Sequence, residues 1–487
     1  MRTTLRRGAP LVATVLLALV GVDHAQAQVA YTANTVTSVY YREFLKDGRY
    51  FIFNNAAAAD AFEKSGETGV GITRIGIGPK GESVFADNET ALELFLFKYG
   101  LNAEVKRPVA PPFNVVWRDG KTRFTLGSAA YVEMSTRLQP RFTLELPDEN
   151  VQLPGTAGKG DSKGSFRIRR AKFKLEGWFY KPNLEFDFQV NFTDVTNTPA
   201  SQIVEDANID WDISKKKQLR VKFGQFKAAF GRQQLTSSGA QQFVDRAIQD
   251  ARYNDARETG LSLWGVVGGN KLDWRVMMSN GNGRTQTLND NDKYLWSSRV
   301  MWQAIGNTRM DQWGSGAFFT EGDLGDSAAG PLLAIAGNFS NNNRHGATTN
   351  VDLDNQTWAL DYSFKYKGFA SVAEYADRRS KSEAPATGAQ TPDFNDKGFL
   401  AQASYACKAP GIPGASFWEL AFRYAKVDPN DNVSGNDIEE IGGALNYYYN
   451  KHSLKVQADF RQIKNKAANS GAGSTTQEFR LQTNLVF

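Results

Sequence analysis

The chain has few of the residues on which most catalytic and metal chemistry depends. In 487 residues there is one cysteine, Cys407, and there are three histidines. A single thiol forms no internal disulfide, and a thiolate metal cluster needs several. His24 falls in the N-terminal leader, while His345 and His452 stand in or beside the loops and turns of distant hairpins, so no pair is placed for a metal ion or a catalytic triad. Without a nucleophile–base motif, an enzyme is not expected. Long apolar runs are also missing. Beyond the first residues none reaches the roughly 18 that a spanning helix requires. Charged residues make up 22% and the mean hydropathy is −0.45. A helical membrane protein is thereby excluded, but a membrane β-barrel is not, because half of each of its strands faces water. Nor is there much net charge: +5 is too little to argue for nucleic-acid binding.

The first residues have the layout of a secretory signal. Arg2, Arg6 and Arg7 form a basic start, Leu11 to Val22 an apolar core, and Ala25-Gln26-Ala27 an A-x-A cleavage site. Residues 1–27 are expected to be removed, leaving Gln28 first. At the other end, TTQEFRLQTNLVF puts Phe479, Leu481, Thr483, Leu485 and Phe487 on one face. A terminal strand that closes on phenylalanine resembles the assembly signal of bacterial outer-membrane barrels.

Residues 28–112 read as a small α+β unit ending in a stiff linker at Pro108, Pro111 and Pro112. Strands are expected at 50–54, 71–77 and 83–86, and helices at 56–64 and 89–98, the second capped by Asp87 or Asn88. GIGPKG (76–81) has the spacing of a dinucleotide-binding loop. It leads into a strand rather than a helix, so it reads as a hairpin turn.

From Phe113 to Phe487 one pattern repeats. In LEFDFQVNF, Leu184, Phe186, Phe188, Val190 and Phe192 alternate with Glu185, Asp187, Gln189 and Asn191, the period of a strand with one apolar face and one polar face. Sixteen such strands are expected, the first five near 122–136, 166–180, 183–194, 205–213 and 218–227, the last at 476–487. Joins alternate short and long, as the turns and outer loops of an outer-membrane barrel do. Two joins, 305–330 and 408–415, break that rule and leave the count open by two strands. The predicted fold is all-β: a 16-stranded antiparallel transmembrane β-barrel preceded by the small α+β unit. The even strand count places both ends in the periplasm. Aromatic residues on the outward phase fit girdles at the two membrane interfaces.

A barrel of this size leaves a water-filled channel, so function lies in its lining. The phases turn eleven basic side chains inward, among them Arg170, Lys172, Lys174, Arg220 and Lys222, against ten acids. The second and fifth strands are basic, and the third and fourth, between them, are acidic. The 228–256 join is too long to be idle. It carries or adjoins Lys227, Arg232, Arg246, Arg252 and Arg257, and a loop folded inward with such residues narrows a pore and selects anions. DPNDNVSGNDIE (428–439) has oxygens at calcium-loop positions, but Val433 stands where glycine is needed and Pro429 at the second position, so it reads as a solvated loop. No cofactor or metal is expected.

The run KFGQFKAAFGRQQLTSSGAQQFVDRA (222–247) resembles the phosphate-selective porin O and P family, as do FRIRRAKFKLEG (166–177) and the stretch from Asp47 to Glu82. The resemblance implies a trimeric outer-membrane porin for small anionic solutes, its third outer loop folded into the pore. By position, the family's anion path falls on Arg169, Arg170, Lys172, Lys174, Arg220, Lys222, Lys227 and Arg232, to which the loop adds Arg246. A general pore without phosphate selectivity is the alternative.

Overall fold

The structure, a computed structural model, describes residues 40–101, 113–118, 120–127, 129–147, 162–195, 203–284, 288–308, 316–346, 351–384, 389–390, 393–410, 416–466 and 474–487. The leader 1–27, Gln28 and the linker prolines lie outside the described residues. The chain divides into two compact units, Met1–Ala110 and Pro111–Phe487.

In the first unit a four-stranded sheet of order β1-β2-β4-β3 is built from β1 (Arg42–Lys46), β2 (Arg49–Phe53), β3 (Ile72–Arg74) and β4 (Ser83–Ala86). Helix α1 (Ala56–Ser65) follows β2, and α2 (Glu89–Tyr99) follows β4. Successive β2 side chains point to opposite faces. Ile52 packs with Leu92, Phe95 and Leu96 of α2, and Phe53 with Ala59 and Phe62 of α1, so each face takes one helix. Asn55 caps α1, and Asn88 rather than Asp87 caps α2. Strand β1 was not anticipated. Its signal is Asp47-Gly48, whose positive φ of 52° and 72° form the two-residue turn that pairs Lys46 with Arg49. GIGPKG is a turn into β4, with Gly78 N bonded to Glu82 O. Burial alone would raise the Glu43 carboxyl, but hydrogen bonds from Lys98, Tyr41 and Tyr99 hold it below the usual range.

The second unit opens with a hairpin, β5 (Phe113–Arg118) and β6 (Lys121–Leu126), that leads into the barrel. The barrel strands run β7 (Ala130–Pro147), β8 (Lys163–Phe179), β9 (Leu184–Asn191), β10 (Val204–Asp212), β11 (Arg220–Lys227), β12 (Arg257–Val267), β13 (Leu272–Ser279) and β14 (Leu295–Ile305). They continue β15 (Leu332–Gly346), β16 (Val351–Tyr366), β17 (Phe369–Ala384), a stub β18 (Ala389–Gln390), β19 (Phe394–Lys408), β20 (Phe417–Asp428), β21 (Ile438–Asn450), β22 (Leu454–Asn465) and β23 (Ser474–Val486). Neighbours pair antiparallel, and β23 closes on β7 with Leu481 opposite Phe142 and Val486 opposite Arg137. Leaving out the entry hairpin and the stub, sixteen strands make the closed ring, so every wall strand has two partners and no edge faces lipid.

The expected first strand, 122–136, is corrected. Gly127, at φ 50°, breaks that run into β6 and the start of β7, and the wall strand continues to Pro147. Pro140 sits in that wall strand at a register shift beside Gln139, where a missing N–H costs little. The long joins expected at 341–352 and 378–396 are mostly strand, since β15, β16, β17 and β19 extend into them. Elsewhere the phases hold. Ile209, Trp211, Leu360, Leu420 and Phe422 are exposed on the outer face, while Asp210, Asp361, Glu419 and Arg423 are buried inside. Outward aromatics gather at the turn ends (Trp211, Trp302, Tyr366, Phe369, Tyr405, Tyr449) and again toward the loop ends (Phe166, Trp296, Phe339, Phe399), as a lipid-facing band with two girdles requires. Gly224, in the block that carries the family resemblance, has φ +122°, and a Cβ there would lie 2.2 Å from Ala207 O on β10.

Among the described residues, two segments enter the lumen. The third loop, 228–256, carries α3 (Arg232–Leu235) and α4 (Ile248–Tyr253) and is almost wholly buried. The wall holds it by its backbone: Gln233 N to Glu374 at 2.7 Å, Val244 N to Asp459 at 3.0 Å and Ile248 N to Glu440 at 2.9 Å. The second is one of the two joins that broke the short-turn rule. Described at 306–308 and 316–331, this insert between β14 and β15 rises from the turn end. Phe318 and Phe319 pack with Leu235, Trp264 and Met301, Arg232 of the loop donates to Phe318 O, and Glu321 N donates to Ala240 O at 2.9 Å. At its base, the ring of His452 in the β21–β22 turn lies 3.0 Å from Glu321 O. Burial and the charges of Lys455 and Lys365 hold that imidazole well below its usual pKa, so it is neutral and donates.

Candidate functional site: an off-centre cationic slot

The loop and the insert fill the lumen on the side of β13 to β23. There most charges are spent on structure: Arg299 with Asp361 at 2.5 Å, Arg480 with Asp459 at 2.8 Å, Arg423 with Glu440 at 3.3 Å and Lys365 with Asp326 at 2.6 Å. Open space remains against β7 to β12. It forms two joined cavities, one of about 460 Å³ toward the loops and one of about 470 Å³ toward the turns, which share Lys174, Glu176, Asp187 and Lys222.

Their charges differ. Eleven Lys and Arg against four carboxylates line the loop-side cavity, and three lysines against five carboxylates line the turn-side one. The near balance read from the wall as a whole therefore conceals a polarised slot. Acids of β8, β9 and β10 position the basic heads rather than erase them. Lys172 lies 2.5 Å from Glu205, Lys174 lies 2.6 Å from Glu176 and 3.2 Å from Asp187, and Arg257 lies 2.9 Å from Asp206. Each pair fixes a basic head in place, and the excess of cations over carboxylates in the lining gives the cavity a positive field in a narrow, low-dielectric channel.

Of the residues expected to carry anions, Arg169, Arg170, Lys172, Lys174, Lys222, Lys227 and Arg246 come together around the loop-side cavity. Arg220 and Arg232 line neither cavity. Arg220 is fully buried, bonded to Asp210 at 2.9 Å and Glu185 at 2.8 Å with its guanidinium over the Trp264 ring. Arg232 is buried between the insert and Ser363. Both depart from the expectation: the strand phase gives the side of the wall that Arg220 faces, and the inward loop brings Arg232 into the lumen, but neither tells whether protein already fills that space. Arg137 and Arg284 also line the cavity and were missed. Arg137 follows the point at which the first strand was ended too soon, and Arg284 sits on the 280–294 loop, where no phase applies. In the 428–439 loop Asp437 pairs with Lys426 at 3.1 Å and Glu439 with Lys466 at 2.7 Å, while Asp431 accepts from Asn395 N at 2.9 Å.

A closed sixteen-stranded barrel with an apolar outer band, an inward loop and a polar slot through its lumen is a porin, a diffusion channel of the bacterial outer membrane. The model of the family phosphate-selective porin O and P matches residues 147–487, and the chain belongs to that family. Porin O of Pseudomonas aeruginosa is 23% identical over 381 residues, covering 67% of this chain and 83% of its own. Among solved structures, the anion-selective porin from Comamonas acidovorans is 11% identical with a TM-score of 0.48, covering 74% of this chain and 100% of its own. The outer-membrane channel DcaP of Acinetobacter baumannii is 12% identical with a TM-score of 0.48, covering 74% and 98%. Family and fold point to a channel rather than an enzyme, and the cationic excess of the slot makes that channel anion-preferring.

Proposed function

We propose that the preferred solutes are phosphate-like oxyanions, phosphate and polyphosphate among them, and that Arg169, Arg170, Lys172, Lys174, Lys222, Lys227 and Arg246 form their path. The observation that carries this reading is the eleven-to-four excess of cations around the loop-side cavity. Guanidinium forks match the oxygens of a phosphate two at a time, and ammonium heads add charge without demanding one orientation. Arg220 and Arg232 support the path indirectly, one bracing β10 and β11 and the other joining the loop to the insert.

The turn-side cavity favours a second reading. Its acidic balance opposes a dianion on the way out, as in a general pore that takes anions without selecting phosphate. The discriminating experiment is chloride current through the purified protein in a planar bilayer as inorganic phosphate is added. Saturable block by phosphate is expected. Chloride-selective current that phosphate does not block would move the weight to the general pore. The reading further takes the first unit to be periplasmic and the working assembly to be a homotrimer in outer-membrane lipid.

A further inference from the structure

The third loop delivers one carboxylate, Asp245, into a cluster of arginines. Asp245 Oδ2 lies 2.6 Å from Arg141 Nη1, and Oδ1 lies 3.1 Å from Nη2, a bidentate fork. Arg480 stands at 3.4 Å, and Arg169 and Arg170 each at 3.8 Å. Guanidiniums from β7, β8 and β23 thus converge on a single negative charge. A latch for the loop would need one of them, and Arg141 alone supplies a complete fork. Arg480 has its own fork to Asp459, with both distances 2.8 Å. Arg169 and Arg170 line the loop-side cavity. The Arg141 side chain is wholly buried beneath Asp245, which keeps 23% of its own surface exposed. The carboxylate therefore lies where an oxyanion would lie: forked by a buried arginine, flanked by two at the cavity wall, and exposed on one side.

We propose that Asp245 is a tethered stand-in for the solute. It occupies the arginine cluster in the empty channel and shares the Arg169–Arg170 edge with an entering oxyanion, so that competition from the loop sets the pore's affinity for anions. A channel must bind its ion firmly enough to admit it and weakly enough to release it. Arg141, Arg169 and Arg170 without a resident counter-charge would hold phosphate too long.

This inference rests on the proposal that oxyanions use the slot, and the test separates the two. In Asp245→Asn, which keeps the shape and removes the charge, phosphate is expected to block chloride current at concentrations about tenfold lower than in the wild type, the order expected from deleting one nearby like charge. Arg169→Gln is expected to weaken block in the wild type and to cancel the gain in Asp245→Asn. Unchanged or weaker block in Asp245→Asn would overturn the inference and leave Asp245 a latch. If Asp245→Asn yields no barrels, unchanged block in Arg169→Gln overturns it equally. Absence of block in the wild type would instead defeat the oxyanion reading itself.

Discussion

Replacing Arg169, Lys174 and Arg246 together by glutamine is expected to lower the anion-to-cation permeability ratio by about an order of magnitude, because rings of fixed charge at a constriction set selectivity. These three keep 35%, 27% and 23% of their side-chain surface exposed, so a passing ion meets their charge directly. The loss of Lys174 counts more than once, since it also uncovers Glu176 and Asp187. Ion-selectivity measurements in bilayers read the effect. Arg220→Gln is the internal control. That side chain is buried and lines neither cavity, so its loss is expected to shift selectivity less than the triple variant does, through the uncovered Asp210 and Glu185 of the turn-side cavity, and to lower the unfolding temperature. Asp210 and Glu185 would be left without their guanidinium, a defect of about 3–5 kcal/mol in buried settings. A selectivity change in Arg220→Gln larger than in the triple variant would reverse the assignment.

Removal of the insert is the second large effect. Replacing residues 307–329 by a short Gly-Ser turn is expected to raise single-channel conductance several-fold and to reduce anion selectivity. The insert fills the turn-side lumen against β13 to β16, with Phe319 lying over the guanidiniums of Arg275 and Arg299. It also anchors the third loop through Arg232 and the backbone of Ala240. Without it, water reaches the far wall and the loop loses one of its two supports. Conductance equal to that of the wild type, in variant protein shown to be folded by its heat-dependent gel mobility, would mean that the insert lies outside the ion path.

The insert also marks the limit of what the sequence discloses. Strand phase is legible because a side chain pointed at lipid and one pointed at water cannot exchange places cheaply, so alternation survives in nearly every wall strand. That is why the inward Arg170, Lys172, Lys174 and Lys222 could be placed from residues alone. The third loop could be placed as well, since its length and charge leave it no other economical position. The 305–330 join had the same excess length but only one basic residue, Arg309, to suggest a role, and it read as a possible miscount of strands. Arg220 shows a different limit. Its inward phase is right, but its burial depends on Asp210, Glu185 and Trp264, which come from β9, β10 and β12. Such a network is a property of neighbours in space, and no single strand carries its signature. Asp245 was passed over because an acid in a basic loop reads as a dilution of charge until its arginines are seen to come from β7, β8 and β23.

The most direct test of the polarised slot is the zero-current potential of the wild-type protein in a planar bilayer under a potassium chloride gradient. The expected potential has the sign of chloride, set by the cation-rich loop-side cavity. A potential of the potassium sign would mean that the carboxylates of the turn-side cavity govern permeation, and it would contradict the assignment of the anion path.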